Sequence, residues 1–324
     1  MKLYRSLMGV VVMFTVCSII GGTAFGWTPS KPVEFVVTAA PGGGSDVLAR
    51  TIASIIEAEK FAPVPFMVVN RAGGSATVGM IYVAQQRGNP LVLLTYHSGM
   101  VVAPLSAGLE AATYQNFTLL ASLAIDEQLI VVKADSPYKT VKDLVTAAKE
   151  KTGGITVGGT ATGQDDHICN RLFERAAGIK LRYVSFNSGG EAITALLGGH
   201  VELIWANPSE FAPMFDAKQV RPLAVAKEGR LPYLNVAPTF KEQGYDVTWK
   251  MFRGINAPAG IPKEAVAYYE NLLKQVNDST RWKDGYLKKY MLTESWMGGQ
   301  ELTSYVGQQE QTSKAILKDL GLLK

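Results

Sequence analysis

The chain has 324 residues, of which 47% are hydrophobic, and a formal net charge of +4 at neutral pH. A charge of this size does not indicate binding to nucleic acid or to an anionic membrane surface. With only two cysteines the chain is not a disulfide-rich scaffold, and its length predicts two domains rather than one.

Residues 1–26 carry the features of a cleavable secretory signal peptide. Two basic residues precede an apolar run from Leu7 to Ile20, which is too short to span a bilayer comfortably, and small residues favour cleavage just before Trp27. Lipidation at Cys17 and an uncleaved anchor are the less favoured alternatives. We therefore expect an exported, periplasmic chain in which Cys169 is the remaining cysteine, so that no intrachain disulfide forms.

The first distinctive pattern after this segment is a glycine turn between an apolar run and a helix. The run Val33–Ala40 predicts a buried strand, residues 41–46 (Pro-Gly-Gly-Gly-Ser-Asp) form the turn, and apolar residues recur with helical period behind it. Glycines let the backbone approach a ligand, and the helix N-terminus offers unpaired N–H groups to an anion. No lysine follows the glycines as in a phosphate-binding loop, and Asp46 would repel a polyphosphate, so a single carboxylate is favoured. An ordinary capped turn is the alternative.

The next segments alternate between strand and helix patterns. Strands are predicted at 64–69, 91–96, 117–123 and 129–133, a second glycine turn at 70–75, and helices at 78–86 and 141–151. This alternation predicts an α/β fold with a mainly parallel sheet. In such sheets ligands lie beyond the carboxyl ends of the strands, which is where the glycine turns are placed.

The opening pattern recurs more than a hundred residues later. Residues 155–157 predict a short strand, 158–163 a turn of glycines and hydroxyl residues, and 168–176 a helix that ends at Gly178. If the two units belong to different domains, two helix N-termini face one ligand across a cleft.

The rest of the chain repeats the alternation and then becomes helical. Strands are predicted at 182–186, 201–205 and 223–225, and helices at 191–197, 210–215, 240–244, 263–277, 279–290 and 299–320.

Five motifs, in this order, resemble the extracytoplasmic solute-binding receptors of tripartite tricarboxylate transporters, also called Bug or TctC receptors. They lie at 41–46, 70–74, 196–201, 221–225 and 257–262. The resemblance implies a type II periplasmic-binding-protein fold, with two α/β domains joined by a hinge and a ligand cleft between them. It implies a first domain of residues 27–125 and 236–324 and a second of residues 126–235, with crossovers near 124–128 and 227–236.

The resemblance also implies which residues bind the ligand. From the first glycine loop they are Gly43, Gly44, Ser45 and Asp46, and from the second Thr160, Ala161, Thr162 and Gly163; Asp165, just after the second loop, is a further candidate in this chain. The cleft walls would be Phe186, Asn187, Ser188, Asn207 and Ser209, with His97 and Ser98 contributed by the first domain.

One departure from the family pattern concerns ligand charge. Many of these receptors resemble Ser-Gln-His where this chain has Asp165-Asp166-His167. We favour the interpretation that the two acids stabilise a helix N-terminus. If Asp165 instead faces the cleft, it would repel a polycarboxylate.

The predicted function is that of a monomeric periplasmic receptor. It would capture a small organic carboxylate (a di- or tricarboxylate, or an aromatic monocarboxylate) and deliver it to the membrane permease subunits of a tripartite transporter. No cofactor, metal or nucleic acid is expected. A solute sensor in a signalling system is the alternative, and a secreted hydrolase is disfavoured because neither G-x-S-x-G nor H-E-x-x-H occurs.

Overall fold

The computed structural model describes residues 26–151, 154–160 and 162–319, together with 321 and 323. The predicted signal peptide lies outside the described residues except for Gly26. In chain order the strands are β1 (Val33–Val37), β2 (Phe66–Asn70), β3 (Val92–His97), β4 (Phe117–Asp126), β5 (Leu129–Lys133), β6 (Thr156–Thr160), β7 (Arg182–Phe186), β8 (Leu203–Ala206), β9 (Val220–Val225), β10 (Met251–Pro258) and β11 (Thr293–Gly298). The helices are α1 (Gly44–Ala58), α2 (Thr77–Gln85), α3 (Ser98–Ala107), α4 (Val141–Glu150), α5 (Asp165–Ala177), α6 (Gly189–Leu197), α7 (Pro208–Asp216), α8 (Lys263–Asp278), α9 (Thr280–Trp282) and α10 (Gly299–Asp319).

The strands form two mixed sheets. The six-stranded sheet has the order β11-β4-β10-β3-β1-β2, and the five-stranded sheet has the order β7-β6-β8-β5-β9. In the first, β1 pairs in parallel with β2 and β3, whereas β10 is antiparallel to both β3 and β4. In the second, β6 is parallel to β7 and β8, and β5 is antiparallel to β8 and β9. We call the six-stranded sheet with its helices lobe 1 and the five-stranded sheet with its helices lobe 2.

Each sheet is buried between helices on both faces. In lobe 1 the apolar side of α1, including Leu48 and Ile52, packs with α8 on one face, while α2, α3 and α10 cover the other. In lobe 2, α4 and α5 cover one face, and α6 and α7 cover the other. The α/β class predicted from the alternating pattern is therefore the observed one, but the prediction of a mainly parallel sheet was wrong, because β5 and β10 enter their sheets antiparallel to both neighbours.

The chain passes between the lobes twice. Strand β4 ends at Asp126 in lobe 1 and β5 begins at Leu129 in lobe 2, which places the first crossing at 127–128. Residues Phe240, Val247 and Trp249 still pack in the apolar cluster of lobe 2, and β10 enters the sheet of lobe 1 at Met251. We propose that the second domain boundary lies near residue 250, later in the chain than the boundary at 236 predicted from the resemblance.

Several elements differ from the predicted ones. Strand β6 continues through Gly158 and Gly159 to Thr160, so these glycines lie in a strand and not in a turn. Helix α3 was not predicted, because its first seven residues are buried and the segment has no amphipathic period. The helix predicted at 279–290 is α9 followed by a π-helical turn, Lys283–Lys288.

Candidate functional site

A cleft of about 100 Å³ lies where the two sheets face each other. It is bordered by the carboxyl ends of β1, β3, β6, β7 and β8, and by the start of β10. The residues that line it are Thr38, Ala39, Gly43, Gly44, Ser45, Gly73, Ser75, Ala76, His97, Thr160, Gln164, Ser185, Phe186, Asn187, Ser188, Gly189, Asn207, Glu210, Met251 and Arg253. The volume is below the range of about 300–1,000 Å³ typical of drug-sized pockets, so the cleft suits a small ligand.

The N-terminus of α1 opens directly onto the cleft. Gly43 is its N-cap in extended conformation, and the backbone N–H of Gly44 donates to Oε1 of Glu210 in lobe 2 at 3.3 Å. A Cβ atom on Gly44 would lie 2.2 Å from Nη2 of Arg253, so only glycine fits against this guanidinium. The glycine therefore permits a cation and a helix N-terminus to occupy the same small volume.

Arg253 is the central cation of the cleft. Its side chain is 2% exposed, and Nε and Nη2 donate to Oδ2 of Asp126 at 2.9 and 2.6 Å. Nη1 donates to Oγ of Ser45 at 3.3 Å and Nη2 to Oδ1 of Asn207 at 3.1 Å, which leaves one of five N–H groups without a partner among the described residues. Burial is the largest influence and opposes the charge, but Asp126, Tyr286 and Glu210 together outweigh it, so the pKa of Arg253 is raised above its ordinary value.

Glu210 places a carboxylate at the meeting point of three helix N-termini. It is the third residue of α7, and its Oε2 accepts the backbone N–H of Asn207 at 2.9 Å in a capping box. Its Oε1 accepts Gly44 N–H of α1, and a Cβ atom on Gly189, the first residue of α6, would lie 2.1 Å from Cδ of Glu210. Burial raises the pKa of Glu210, while the nearby Arg253 guanidinium acts in the opposite direction.

Asp165 connects the lobes and does not line the cleft. Its Oδ2 lies 2.9 Å from Nδ1 of His97 and accepts Gly99 N–H at 2.7 Å, both in lobe 1. Its Oδ1 accepts the indole N–H of Trp249 at 2.6 Å. With three partners and 1% exposure, this carboxylate holds α5 of lobe 2 against the start of α3.

Side chains from the first turn of α5 bond the backbone just before the helix. Oδ2 of Asp166 accepts both the backbone N–H of Thr160 at 2.6 Å and its hydroxyl at 2.9 Å. Burial, and then the charge of Glu210, raises the pKa of Asp166 to about 8. Nδ1 of His167 accepts the N–H of Gly163 at 3.1 Å, so the ring is bonded to the turn that precedes α5.

The residues predicted to bind ligand fall into three groups. Those that line the cleft are Gly43, Gly44, Ser45, His97, Thr160, Phe186, Asn187, Ser188 and Asn207. Those placed away from its lining are Asp46, Ser98, Thr162, Gly163, Asp165 and Ser209. Ala161 lies outside the described residues.

Three of the residues away from the lining, Asp46, Ser98 and Thr162, form hydrogen bonds elsewhere. Asp46 accepts from Gly42 N–H, from the Asn70 amide and from Arg50, so it fixes the glycine turn from behind. The hydroxyl of Ser98 donates to the carbonyl of residue 250 and accepts the N–H of residue 252, which ties the start of α3 to β10. Thr162 accepts the hydroxyl of Ser75 through its carbonyl.

The sequence interpretation missed Arg253, Glu210 and Gln164. Arg253 could have been noticed in the sequence, because it is a lone charge within an apolar strand segment. Charged residues are rarely buried unless they are paired. Glu210 follows Asn207 at capping-box spacing, which explains its helix position but not its approach to α1. Gln164 donates to the carbonyl of Ser75 across the cleft at 2.6 Å, a contact that only the packing of the lobes creates.

Two kinds of feature are absent from the described residues. None of the helices there has an apolar stretch that would span a bilayer. The same residues contain no group of three or more His, Cys, Asp and Glu side chains that could hold a metal ion.

The family model for the tripartite tricarboxylate transporter family receptor matches residues 48–322. A UPF0065 protein of Agrobacterium vitis, encoded in the TAR-I ttuE-ttuC' intergenic region, is 30% identical over 236 residues, which are 72% of this chain and 68% of that protein. The structure of the periplasmic binding protein BugD superposes with a TM-score of 0.84 at 23% identity, covering 91% of this chain and 99% of that one.

A second solved structure carries a ligand. R. palustris Rpa4515 with adipate has a TM-score of 0.84 at 25% identity, covering 90% of this chain and 98% of that one. These superpositions confirm the two-domain fold of periplasmic binding proteins that the resemblance implied. The chain belongs to the receptor family of the tripartite tricarboxylate transporters, a family of periplasmic solute-binding proteins.

Proposed function

We propose that the protein is an exported receptor that closes its two lobes around a small organic carboxylate and passes it to the permease subunits of a tripartite transporter. The observation that carries this proposal is the convergence of Arg253, Ser45 and the α1 N-terminus on one cleft between the lobes. A receptor of this kind binds its ligand without converting it.

The chemistry of the lobe 1 wall fits a carboxylate. The helix N-terminus supplies the positive end of a dipole and backbone N–H groups, and Arg253 supplies a guanidinium with one unpartnered N–H. Charge-assisted hydrogen bonds of this type are about twice as strong as neutral ones. Micromolar affinity corresponds to about −8 kcal/mol, which a few such bonds together with burial supply.

Contacts between the lobes support closure as the binding motion. Gly44 N–H reaches Glu210, Arg253 reaches Asn207, and His97 reaches Asp165, so each contact joins one lobe to the other. The two crossing segments at 127–128 and near 250 are the positions at which a hinge rotation would separate these pairs. Closure would change the relative position of the two outer surfaces to which a membrane partner binds. Ligand binding is in this way coupled to docking.

The relatives support the ligand class at a general level. Rpa4515 was solved with adipate, and its fold matches this chain over most of both lengths. The periplasm is the location that the family and the predicted signal peptide both favour.

The experiment that tests the proposal removes one donor of α1. Proline is tolerated at the first position of a helix, so Gly44→Pro is compatible with α1. It deletes the backbone N–H of residue 44 and places ring atoms against Arg253. Lys263→Pro is the matched control, because Lys263 is the first residue of α8 and lies outside the cleft lining. Native mass spectrometry for a co-purified ligand and a thermal-shift panel of carboxylates identify the probe. We expect Gly44→Pro to abolish binding and Lys263→Pro to retain it; equal affinity in both variants would refute the site.

A further inference from the structure

The cleft lining contains two basic side chains, and both are already paired. Arg253 donates two hydrogen bonds to Asp126, and Nδ1 of His97 lies 2.9 Å from Asp165. Asp126 and Asp165 are 0% and 1% exposed, so solvent does not weaken these pairs. Within the lining residues, Arg253 is the side chain with a permanent positive charge, so no unpaired cation is available to neutralise a second negative charge on a ligand.

Glu210 adds a carboxylate to this already balanced cleft. Both of its oxygens accept N–H donors, Oε1 from Gly44 and Oε2 from Asn207, as in an ionised carboxylate. Its carboxylate therefore interacts with the positive end of the α1 helix dipole, with which a ligand anion would also interact. Asn207 in turn bonds Arg253, so Glu210 lies within the same hydrogen-bonded group as the cation.

The position of Glu210 restricts where a ligand charge can lie. One ligand carboxylate has the unpartnered N–H of Arg253 and the neighbouring hydroxyl of Ser45 as partners. In a cleft of about 100 Å³, a second carboxylate on the same small ligand stays close to Glu210 and finds like charge without a counter-ion. A neutral or cationic group in that place meets no such repulsion.

We propose that Glu210 sets the charge selectivity of the receptor, so that the ligand carries one carboxylate and a neutral or cationic remainder instead of two or three carboxylates. This inference rests on the proposed function and narrows its ligand class. It assigns to Glu210 the exclusion of polycarboxylates that the sequence interpretation had considered for Asp165.

The test compares acids that differ only in the group at one end. The full-length exported protein is titrated at pH 7.5 with butyrate against succinate, valerate against glutarate, and hexanoate against adipate, by calorimetry. Wild-type protein should bind each monocarboxylate more tightly than its partner. In Glu210→Gln the ratio of the two affinities should shift toward the dicarboxylate by about tenfold or more, because one like charge is removed.

The control variant is Glu301→Gln, which removes an exposed glutamate from the third position of another helix, α10. It should leave every ratio unchanged, and thermal unfolding of both variants checks that they are folded. Wild-type preference for the dicarboxylates, or an unchanged ratio in Glu210→Gln with binding intact, would overturn the inference and leave the proposed function standing. Failure of all six acids and of every other carboxylate in the panel to bind the wild-type protein would contradict the proposed function itself, and this inference with it.

Discussion

The two strand–glycine–helix units have similar sequences but different surroundings. The N-terminus of α1 faces the cleft, and its Gly44 N–H reaches across it to the other lobe. The N-terminus of α5 begins with Asp165 and Asp166, whose carboxylates bond the neighbouring backbone and the opposite lobe. The first helix N-terminus therefore lies at the cleft and is bonded by an acid of the other lobe, while the second is bonded by its own acids and holds the lobes together.

The glycines of the two units also serve different ends. Gly44 allows Arg253 to approach the backbone, whereas Gly158 and Gly159 allow strand β6 to pack closely. A Cβ atom on Gly159 would lie 2.4 Å from the hydroxyl of Tyr183. Glycine number alone thus does not distinguish the two units; the residues that follow the glycines and the side chains that meet them do.

The largest expected effect comes from removing the cation beside α1. Arg253→Met leaves Asp126 buried without its partner, which costs about 3–5 kcal/mol of unfolding free energy and abolishes carboxylate binding. Arg281→Met is the control, because it breaks an exposed pair with Glu59 that is worth about 0–1 kcal/mol. Urea unfolding of both variants measures the difference, and equal costs would show that the Arg253 pair does not stabilise lobe 1.

A smaller effect concerns the pH dependence of the α5 unit. Burial lowers the pKa of His167 to about 4, below its ordinary 6.5, and its Nδ1 is an acceptor only while the ring is neutral. Between pH 6.5 and 4 the unfolded chain therefore binds one proton more than the folded chain. The contribution of His167 to the free energy of unfolding is full above pH 6.5 and falls as the pH falls, by up to about 3 kcal/mol.

The variant that tests this pH dependence is His167→Asn, which keeps an acceptor and removes the titration. Its unfolding free energy should decline less than that of the wild type between pH 6.5 and 4. His200→Asn, at an exposed position, should leave the wild-type slope intact. A slope that is the same in all three proteins would assign the acid sensitivity to other groups.

The smallest effect separates packing glycines from ligand glycines. Gly159→Ala should cost about 1–3 kcal/mol, because the new methyl meets Tyr183 and the Cβ atom of Asp166. Ligand affinity of the folded fraction should stay near the wild-type value, since Gly159 does not line the cleft. Thermal unfolding and calorimetry distinguish the two; a loss of affinity without a loss of stability would make Gly159 a ligand residue.

Much of the fold could be predicted because it depends on local patterns. Apolar runs such as 33–37 and 129–133 form buried strands, and the apolar residues that recur with helical period in α1 form its packed face. Helix α3 lacked such a period, because it is buried on several sides. The second crossing that we propose near residue 250 has no local sequence signal, because residues 240–249 contain only a short 3₁₀ turn and their packing alone associates them with lobe 2.

The candidate site was less predictable because its charges come from distant parts of the chain. Arg253 reaches Asp126 over 127 positions and Ser45 over 208, through the antiparallel insertion of β10 between β3 and β4. Glu210 reaches Gly44 over 166 positions. The turn residues Gly43 to Ser45 were found from local sequence, whereas their partners depend on the pairing of the two lobes.

The most direct test of the account is an amide ¹H–¹⁵N titration of the wild-type protein. The probe is the carboxylate that gives the largest thermal shift in the panel. We predict that the amides of Gly44 and Ser45 shift in proportion to ligand occupancy, and by more than those of Asp165 and Asp166, whose contacts change only through closure of the lobes. Large shifts at the start of α5 with unchanged signals at Gly44 and Ser45 would contradict it.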